Sequence, residues 1–182
     1  MNEKQLILSC LEGEVEAFRE MVDRYKSRAM ALALNMLGNR EDAEDACQET
    51  FIRVYSNLDK FDLQSPFRNW FYTILSNRCL DLLRKRRRFF SFFKKMEEEH
   101  TGNTSPQSFS SSRSQPLAPK ILEDLSPRER VALCLWASEG YSSAEIGQVM
   151  KCSPSTARVL LYKARKKIKS KMEKENVSLS NG

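Results

Sequence analysis

Apolar residues recur along this chain at intervals of three and four, and glycine, proline and serine mark where each run stops. That period is the signature of helices with one buried face. A first helix is predicted over 2–11, with Leu6, Ile7, Cys10 and Leu11 on one side, and Gly13 interrupts it. A second is predicted over 14–37, carrying Val15, Phe18, Met21, Val22, Tyr25, Met30, Leu34 and Leu37. Gly38-Asn39 should stop it, because glycine readily takes the left-handed conformation of a helix end. A third, over 40–58, shows Ala43, Ala46, Cys47, Thr50, Phe51, Val54, Tyr55 and Leu58 as one continuous buried face. The loop DKFDLQSP follows, and then a helix over 67–84. Its apolar face is Phe67, Trp70, Phe71, Ile74, Leu75, Cys79 and Leu82, and its other side is Arg68, Asn69, Tyr72, Thr73, Ser76, Asn77 and Asp81.

The pattern fades after Phe93. Residues 100–116 are rich in Ser, Asn, Gln and Pro and poor in large apolar groups, so they cannot bury enough surface to offset their ordering entropy. This stretch is expected to be a flexible tether. Periodicity resumes near Ala118, with Ile121, Leu122 and Leu125 in a short helix. Ser126-Pro127 reads as a cap and a first-turn proline, opening a helix that buries Val131, Ala132, Leu135 and Trp136 and stops at Gly140. Ser142 to Glu145 reads as a capping box for a short helix with Ile146, Gly147, Val149 and Met150. A turn at Lys151-Cys152 and a second Ser-Pro pair lead to a long last helix, 154–172, with Ala157, Leu160, Leu161, Ala164 and Ile168 inward. A short helix, a tight turn and a longer helix make a helix-turn-helix. Gly147 falls where its two helices should approach most closely.

The predicted fold is therefore all-α, two small helical domains joined by a flexible linker. The expected boundaries are 1–93, a linker 94–117, a helix-turn-helix domain 118–174 and a tail 175–182. Composition narrows the setting without changing that outline. Of 182 residues, 41% are hydrophobic and 30% charged, with a net charge of +6 and a mean hydropathy of -0.54. No apolar run approaches the roughly 18 residues of a membrane span. The amphipathic start MNEKQLILSC lacks a signal-peptide core, so the protein is expected in the cytoplasm. The five cysteines are widely spaced, with no CxxC pair and only one histidine, His100. No metal site or cofactor is expected from them, and the thiols read as core filling.

Four features bear on function. On helix 40–58 a stripe of Asp45, Gln48, Glu49 and Ile52 adjoins the buried face. It is either a solvated surface or a docking face for a basic partner. Helix 67–84 ends in five consecutive cations, Arg84 to Arg88, beside a polar and aromatic face. Cations in that setting suit phosphates and unpaired bases. Phe89, Phe90, Phe92 and Phe93 follow, and either finish a packed helix or dock on a partner. The last helix presents Ser155, Thr156, Arg158, Val159, Tyr162, Lys163, Lys166 and Lys167 outward, with eight cations and one carboxylate between Arg158 and Lys174. A helix dipole accounts for cations in the last turn only, and Arg, Lys, Ser and Thr are the side chains that address base edges and phosphates.

The stretch AFREMVDRYKSRAMALALNMLGNREDAEDACQETFIRVYSNLDKF, followed by FRNWFYTILSNRCLDLLRKRRR, closely resembles the N-terminal conserved domain of extracytoplasmic-function sigma factors. LSPRERVALCLWASEGYSSAEIGQVMKCSPSTARVLLYKARKKIKSKM resembles their C-terminal domain. The resemblance implies a non-enzymatic subunit that gives bacterial RNA polymerase core its promoter specificity, through the β′ coiled coil and the β subunit. It implies core binding at Asp45, Gln48, Glu49 and Arg53. It implies recognition of the minus-ten element by Lys60, Phe61, Ser65, Phe67, Arg68, Trp70, Asn77, Arg78 and Arg84, with Trp70 largely core. It implies contact with the minus-thirty-five element by Ser155, Thr156, Arg158, Val159, Tyr162, Lys163 and Lys166. An anti-sigma factor is an expected partner. Where family members often carry a polar residue and then Arg after the position of Arg158, this chain has Val159 and Leu160. A thymine methyl group would suit Val159 better than a polar edge.

Two other classes remain at this point. A repressor or activator would carry a similar helix-turn-helix but would not need the acidic stripe or the aromatic loop. A nucleic-acid enzyme would need a ligand cluster, a phosphate loop or a nucleophile–base pair, and none is visible in the sequence.

Overall fold

Capping chemistry sets the helix starts in this computed structural model, which describes residues 2–99, 122 and 124–180. The Asn2 and Gln5 side chains cap each other's backbone N–H groups at the start of α1 (Glu3–Leu11). Helix α2 (Val15–Leu37) stops at Gly38, whose φ of 67° is the left-handed cap expected there. Asn39 accepts from the Asp42 N–H and opens α3 (Arg40–Ser56). One 3₁₀ turn (Leu58–Lys60) leads into the loop before α4 (Phe67–Glu99). Ser126 and Ser142 form capping boxes with Glu129 and Glu145 at the starts of α5 (Pro127–Glu139) and α6 (Ser143–Val149). Helix α7 (Pro154–Ser180) closes the chain. The described residues are all-helical in their regular structure.

Helices α2, α3 and α4 pack around Met21, Leu32, Met36, Phe71 and Leu75, with α1 laid over α2 through Leu6 and Ile7. Helices α5, α6 and α7 pack around Val131, Leu135, Ile146 and Leu161. The two bundles touch: α4 lies against α5 and α6, and α2 against α5, so the buried side chains form one continuous cluster. Four residues read on apolar faces are not inside; Val15 is 75% and Leu11 42% exposed at the α1–α2 turn. Trp136 is 43% exposed, because Arg165 rather than an apolar neighbour covers its ring, 4.0 Å from the centroid. Tyr55 is 59% exposed and meets Phe18 edge-on at the bundle surface.

Helix α4 continues through the arginines and phenylalanines to Glu99. The tether expected over 94–117 lies outside the described residues from position 100 onward. Helix α7 likewise runs on to Ser180.

Cys10, Cys47, Cys79 and Cys134 are buried and Cys152 is partly exposed. Burial pushes the Cys47 thiol up to about 12 and the Cys134 thiol up to about 11, so neither supplies thiolate at neutral pH.

The helix-turn-helix turns on one close approach. A Cβ built on Gly147 would lie 2.7 Å from the Cys152 carbonyl oxygen, the same turn in which the Cys152 N–H donates to the Gly147 carbonyl at 2.9 Å. Lys151 makes the turn with a φ of 49°, in the left-handed region. Gly147→Ala should therefore cost about 1–3 kcal/mol of stability through overpacking against backbone. A urea midpoint unchanged in this variant would show that the turn has room to give. A thiol reagent should modify Cys152 first in the folded chain, and the four buried cysteines only on unfolding; simultaneous modification in native buffer would contradict the packing.

Candidate nucleic-acid interface

The stripe on α3 comes first in the chain. Asp45 and Gln48 are exposed and form no hydrogen bond or ion pair among the described residues, and Ile52, on the same stripe, is 56% exposed. Glu49 is different. It pairs with Arg53 one turn on, and the Arg78 Nε lies 2.6 Å from its Oε2, off the hydrogen-bond direction. Glu49 therefore ties α3 to α4. The group expected to bind polymerase and the Arg78 expected to bind DNA neutralise each other across that contact.

The loop before α4 is organised by Asp62, which accepts from the Gln64 N–H at 3.0 Å and the Ser65 hydroxyl at 2.8 Å. These two bonds hold its carboxyl below the usual range. Lys60 is exposed and donates to Asn57 at 3.2 Å. Phe61 and Phe67, expected beside a flipped base, are instead 8% and 1% exposed. Their rings meet at 5.4 Å, and Trp70 joins them at 5.1 Å from Phe61. Two large rings next to a bundle core lose more apolar burial by pointing outward than the loop could restore. Trp70 is partly buried, and Ser65 stays at the surface.

The polar side of α4 is where the two bundles meet. Arg68 donates to the Glu139 carboxylate at 2.5 Å and to the Glu139 carbonyl at 3.2 Å, and its guanidinium stacks 4.8 Å from the Tyr141 ring centroid. Asn69 donates to Gln148 at 2.9 Å and accepts from the Tyr141 hydroxyl at 3.0 Å. Asn35 of α2 donates to Ser138 at 3.2 Å. Tyr72 and Ser76, expected on the open side, are fully buried; the Tyr72 phenol lies by the Glu139 carboxylate, and the Ser76 hydroxyl has no hydrogen-bond partner among the described residues. Burial first, then the nearby Glu139 carboxylate, pushes the Tyr72 phenol up. Gly140 makes this seam possible. Its φ of 69° ends α5 and swings Tyr141 back onto α4.

Reading the sequence missed Glu139, Tyr141 and Gln148. One signal was available: a glutamate in the last turn of a helix opposes the helix dipole, and such a local conflict marks a tertiary partner. Further along, Asn77 is exposed and Arg84 makes a 3.4 Å pair with Asp81.

On α7 the cations divide by neighbour. Arg165 covers Trp136, Lys167 pairs with Glu129 at 2.7 Å and Lys171 pairs with Asp124 at 2.9 Å. Arg158, Lys163 and Lys166 form no ion pair among the described residues, and together with Val159 and Tyr162 they are exposed. Ser155 and Thr156 are exposed on the first turn, where the Thr156 N–H donates to Ser153 at 3.1 Å. Between the bundles, Arg84, Arg87 and Arg88 face Arg128 and Lys163 across an open cleft of about 880 Å³. Thus the face expected to meet DNA on α7 is open to solvent, and the one expected on the first half of α4 is largely covered.

Comparison with known proteins fits both halves. Residues 21–89 match the family model of Sigma-70 region 2, and residues 118–168 match that of Sigma-70 region 4. The chain is 29% identical over 184 residues to the ECF RNA polymerase sigma factor SigW of Bacillus subtilis, covering 93% of this chain and 96% of SigW. It is 30% identical over 142 residues to the ECF sigma factor EcfG of Rhodopseudomonas palustris, 76% of this chain and 75% of that one. Among solved structures, CnrH in complex with the cytosolic domain of CnrY matches at a TM-score of 0.67 and 25% identity, over 94% of this chain and 97% of that chain. The sigma factor RpoE in complex with the anti-sigma factor NepR from Bartonella quintana shares the fold at a TM-score of 0.63 and 22% identity, over 87% and 98%.

Replacing Glu139 with Ala should strand Arg68 in the seam and loosen it. The expected result is a larger radius of gyration by small-angle scattering, with helix content unchanged. An unaltered radius would remove this ion pair as the clasp between the bundles.

Proposed function

The chain belongs to the extracytoplasmic-function sigma factors of bacterial RNA polymerase, and from that membership we propose how its surfaces divide the work of promoter recognition. Sigma factors of this group bind RNA polymerase core, recognise the minus-ten and minus-thirty-five promoter elements and initiate transcription. No catalytic step falls to this chain in our reading; it acts in the cytoplasm, and polymerase supplies the chemistry.

Asp45 and Gln48, flanking Ile52, form the patch that meets the β′ coiled coil. Glu49 and Arg53 brace that patch from within the chain. Lys60 and Ser65 at the loop surface, with Arg68, Asn77, Arg78 and Arg84 along α4, contact the minus-ten strand. Phe61, Phe67 and Trp70 form the packed wall behind them. Arg158, Val159, Tyr162 and Lys163 face base edges in the minus-thirty-five major groove, with Ser155, Thr156 and Lys166 on phosphates.

The observation that carries this reading is the asymmetry of the two faces. A helix that must hold unpaired bases keeps Arg68, Asn69, Tyr72 and Ser76 in a seam where the Ser76 hydroxyl is left unsatisfied. Buried hydroxyls without partners are costly, so the seam is poised to open when a better partner arrives. Polymerase and promoter DNA together are that partner. An anti-sigma factor that grips both bundles would hold the seam shut. CnrH and RpoE, whose structures share this fold, were both solved with an inhibitory or cytosolic partner bound.

Asp45→Lys with Gln48→Lys should abolish complex formation with polymerase core on size-exclusion chromatography while circular dichroism stays that of the parent. These two positions avoid the Glu49 ion pairs, so a failure to bind cannot be put down to a damaged bundle, and full binding would remove the docking assignment. On promoter DNA with core present, Arg158→Ala or Lys163→Ala should cost about 1–3 kcal/mol of discrimination if the side chain reads a base. If it reads phosphate, affinity should fall equally on all sequences and the salt dependence should flatten.

A further inference from the structure

Closing the two bundles onto each other gathers cations that the chain does not neutralise. Arg84, Arg87 and Arg88 stand at i, i+3 and i+4 on α4 and share one face of that helix. Arg128 stands in the first turn of α5, and Lys163 stands on α7. All five line the cleft of about 880 Å³. Helix α4 belongs to the first bundle, and α5 and α7 belong to the second. The facing walls of the cleft therefore come from different bundles, and the cleft exists only while the seam between them is shut.

Two carboxylates also line the cleft, and each already has a partner. Asp81 pairs with Arg84 at 3.4 Å. Glu129 accepts from the Ser126 N–H at 2.8 Å and pairs with Lys167 at 2.7 Å. Arg87, Arg88, Arg128 and Lys163 form no ion pair among the described residues. Like charges facing each other across a gap raise the energy of the closed state, by an amount that salt reduces. An anion between them removes that cost. A single phosphate carries too little charge to answer unpaired cations on three helices. A short chain of phosphates carries several charges in a row, and its oxygens suit the paired N–H groups of guanidinium. The volume is that of a small-molecule site rather than of a duplex. Among the described residues, the lining includes no aromatic ring on which a base could stack, so recognition falls on the phosphates.

We propose that the cleft between α4, α5 and α7 is a binding site for a linear polyphosphate, whose occupant bridges the two bundles and holds them closed. A ligand that touches both walls favours the closed arrangement over any open one, and shifts the chain toward it. It also occupies Arg84 and Lys163, so it opposes promoter binding. That consequence rests on the promoter-recognition reading; the site itself does not.

The test is calorimetric titration of the full chain with sodium tripolyphosphate in magnesium-free buffer at fixed ionic strength, with orthophosphate as the control. One tripolyphosphate should bind per chain, roughly tenfold or more tighter than orthophosphate. Arg87→Ala on α4 and Arg128→Ala on α5 should each weaken it by roughly tenfold, with circular dichroism unchanged because neither side chain holds an ion pair. Arg28→Ala removes the same charge from an exposed position outside the cleft and should leave the affinity as it was. Absence of binding, several weak equivalents per chain, or equal losses in all three variants overturns the proposal, because the attraction is then that of net charge alone. A loss in only one of Arg87→Ala and Arg128→Ala overturns the bridge between bundles. ATP titrated in parallel separates the sources: binding as tight as tripolyphosphate or tighter assigns the site to nucleotides, and weaker binding assigns it to the inorganic chain. If tripolyphosphate binds as expected but the chain forms no complex with polymerase core in its absence, the promoter reading falls and the site stands. If the core complex forms and tripolyphosphate does not bind, the site falls and the promoter reading stands.

Discussion

The Arg68 guanidinium lies against the Tyr141 and Tyr72 rings with its side chain still 40% exposed, and it reaches a nearly buried carboxylate of the other bundle. That carboxylate is Glu139, whose side chain is 6% exposed, and neither group is well placed without the other. Removing one partner of such a pair leaves the other charge stranded. The placement of the two bundles follows from this pair. Once Arg68 and Glu139 are joined, Tyr141 lies over α4, Asn69 reaches Tyr141 and Gln148, and Tyr72 and Ser76 are covered whether or not their hydroxyls are satisfied. The seam is thus polar, specific and imperfect. An apolar seam would have been harder to reopen, and a fully satisfied polar one would have left nothing to gain on opening.

A second economy runs through the ion pairs. The chain is strongly basic, yet many of its cations already have work inside it. Arg53 and Arg78 neutralise Glu49, Arg86 caps the end of α2, Lys167 and Lys171 fasten α7 to the first turn of α5 and to Asp124 before it, and Arg165 shields Trp136. The cations left over are concentrated on the outer face of α7 and around the cleft. Phosphate contacts depend on the cations that remain unneutralised rather than on net charge, so this sorting, more than composition, defines the nucleic-acid surface.

Much of this was legible in the residues. Helical periodicity, serine and asparagine caps, Gly38 and Gly140 as stops and Gly147 as a close approach are local properties, set by steric limits on a few neighbouring residues, so the helices and the helix-turn-helix could be read one segment at a time. The outer face of α7 was legible too, since a helix wheel with alanines and leucines inward leaves its cations outward. What the sequence could not decide by itself was which polar faces would be used up by the chain. Tyr72 and Ser76 look solvent-facing on a wheel, Glu49 looks free, and Phe61 and Phe67 look available to a base; the first two are buried, Tyr72 against Tyr141, Glu49 is shared by two arginines, and the two rings are packed on each other. Each outcome depends on a partner distant in sequence and near in space, and electrostatic pairing and burial act through distance in space alone.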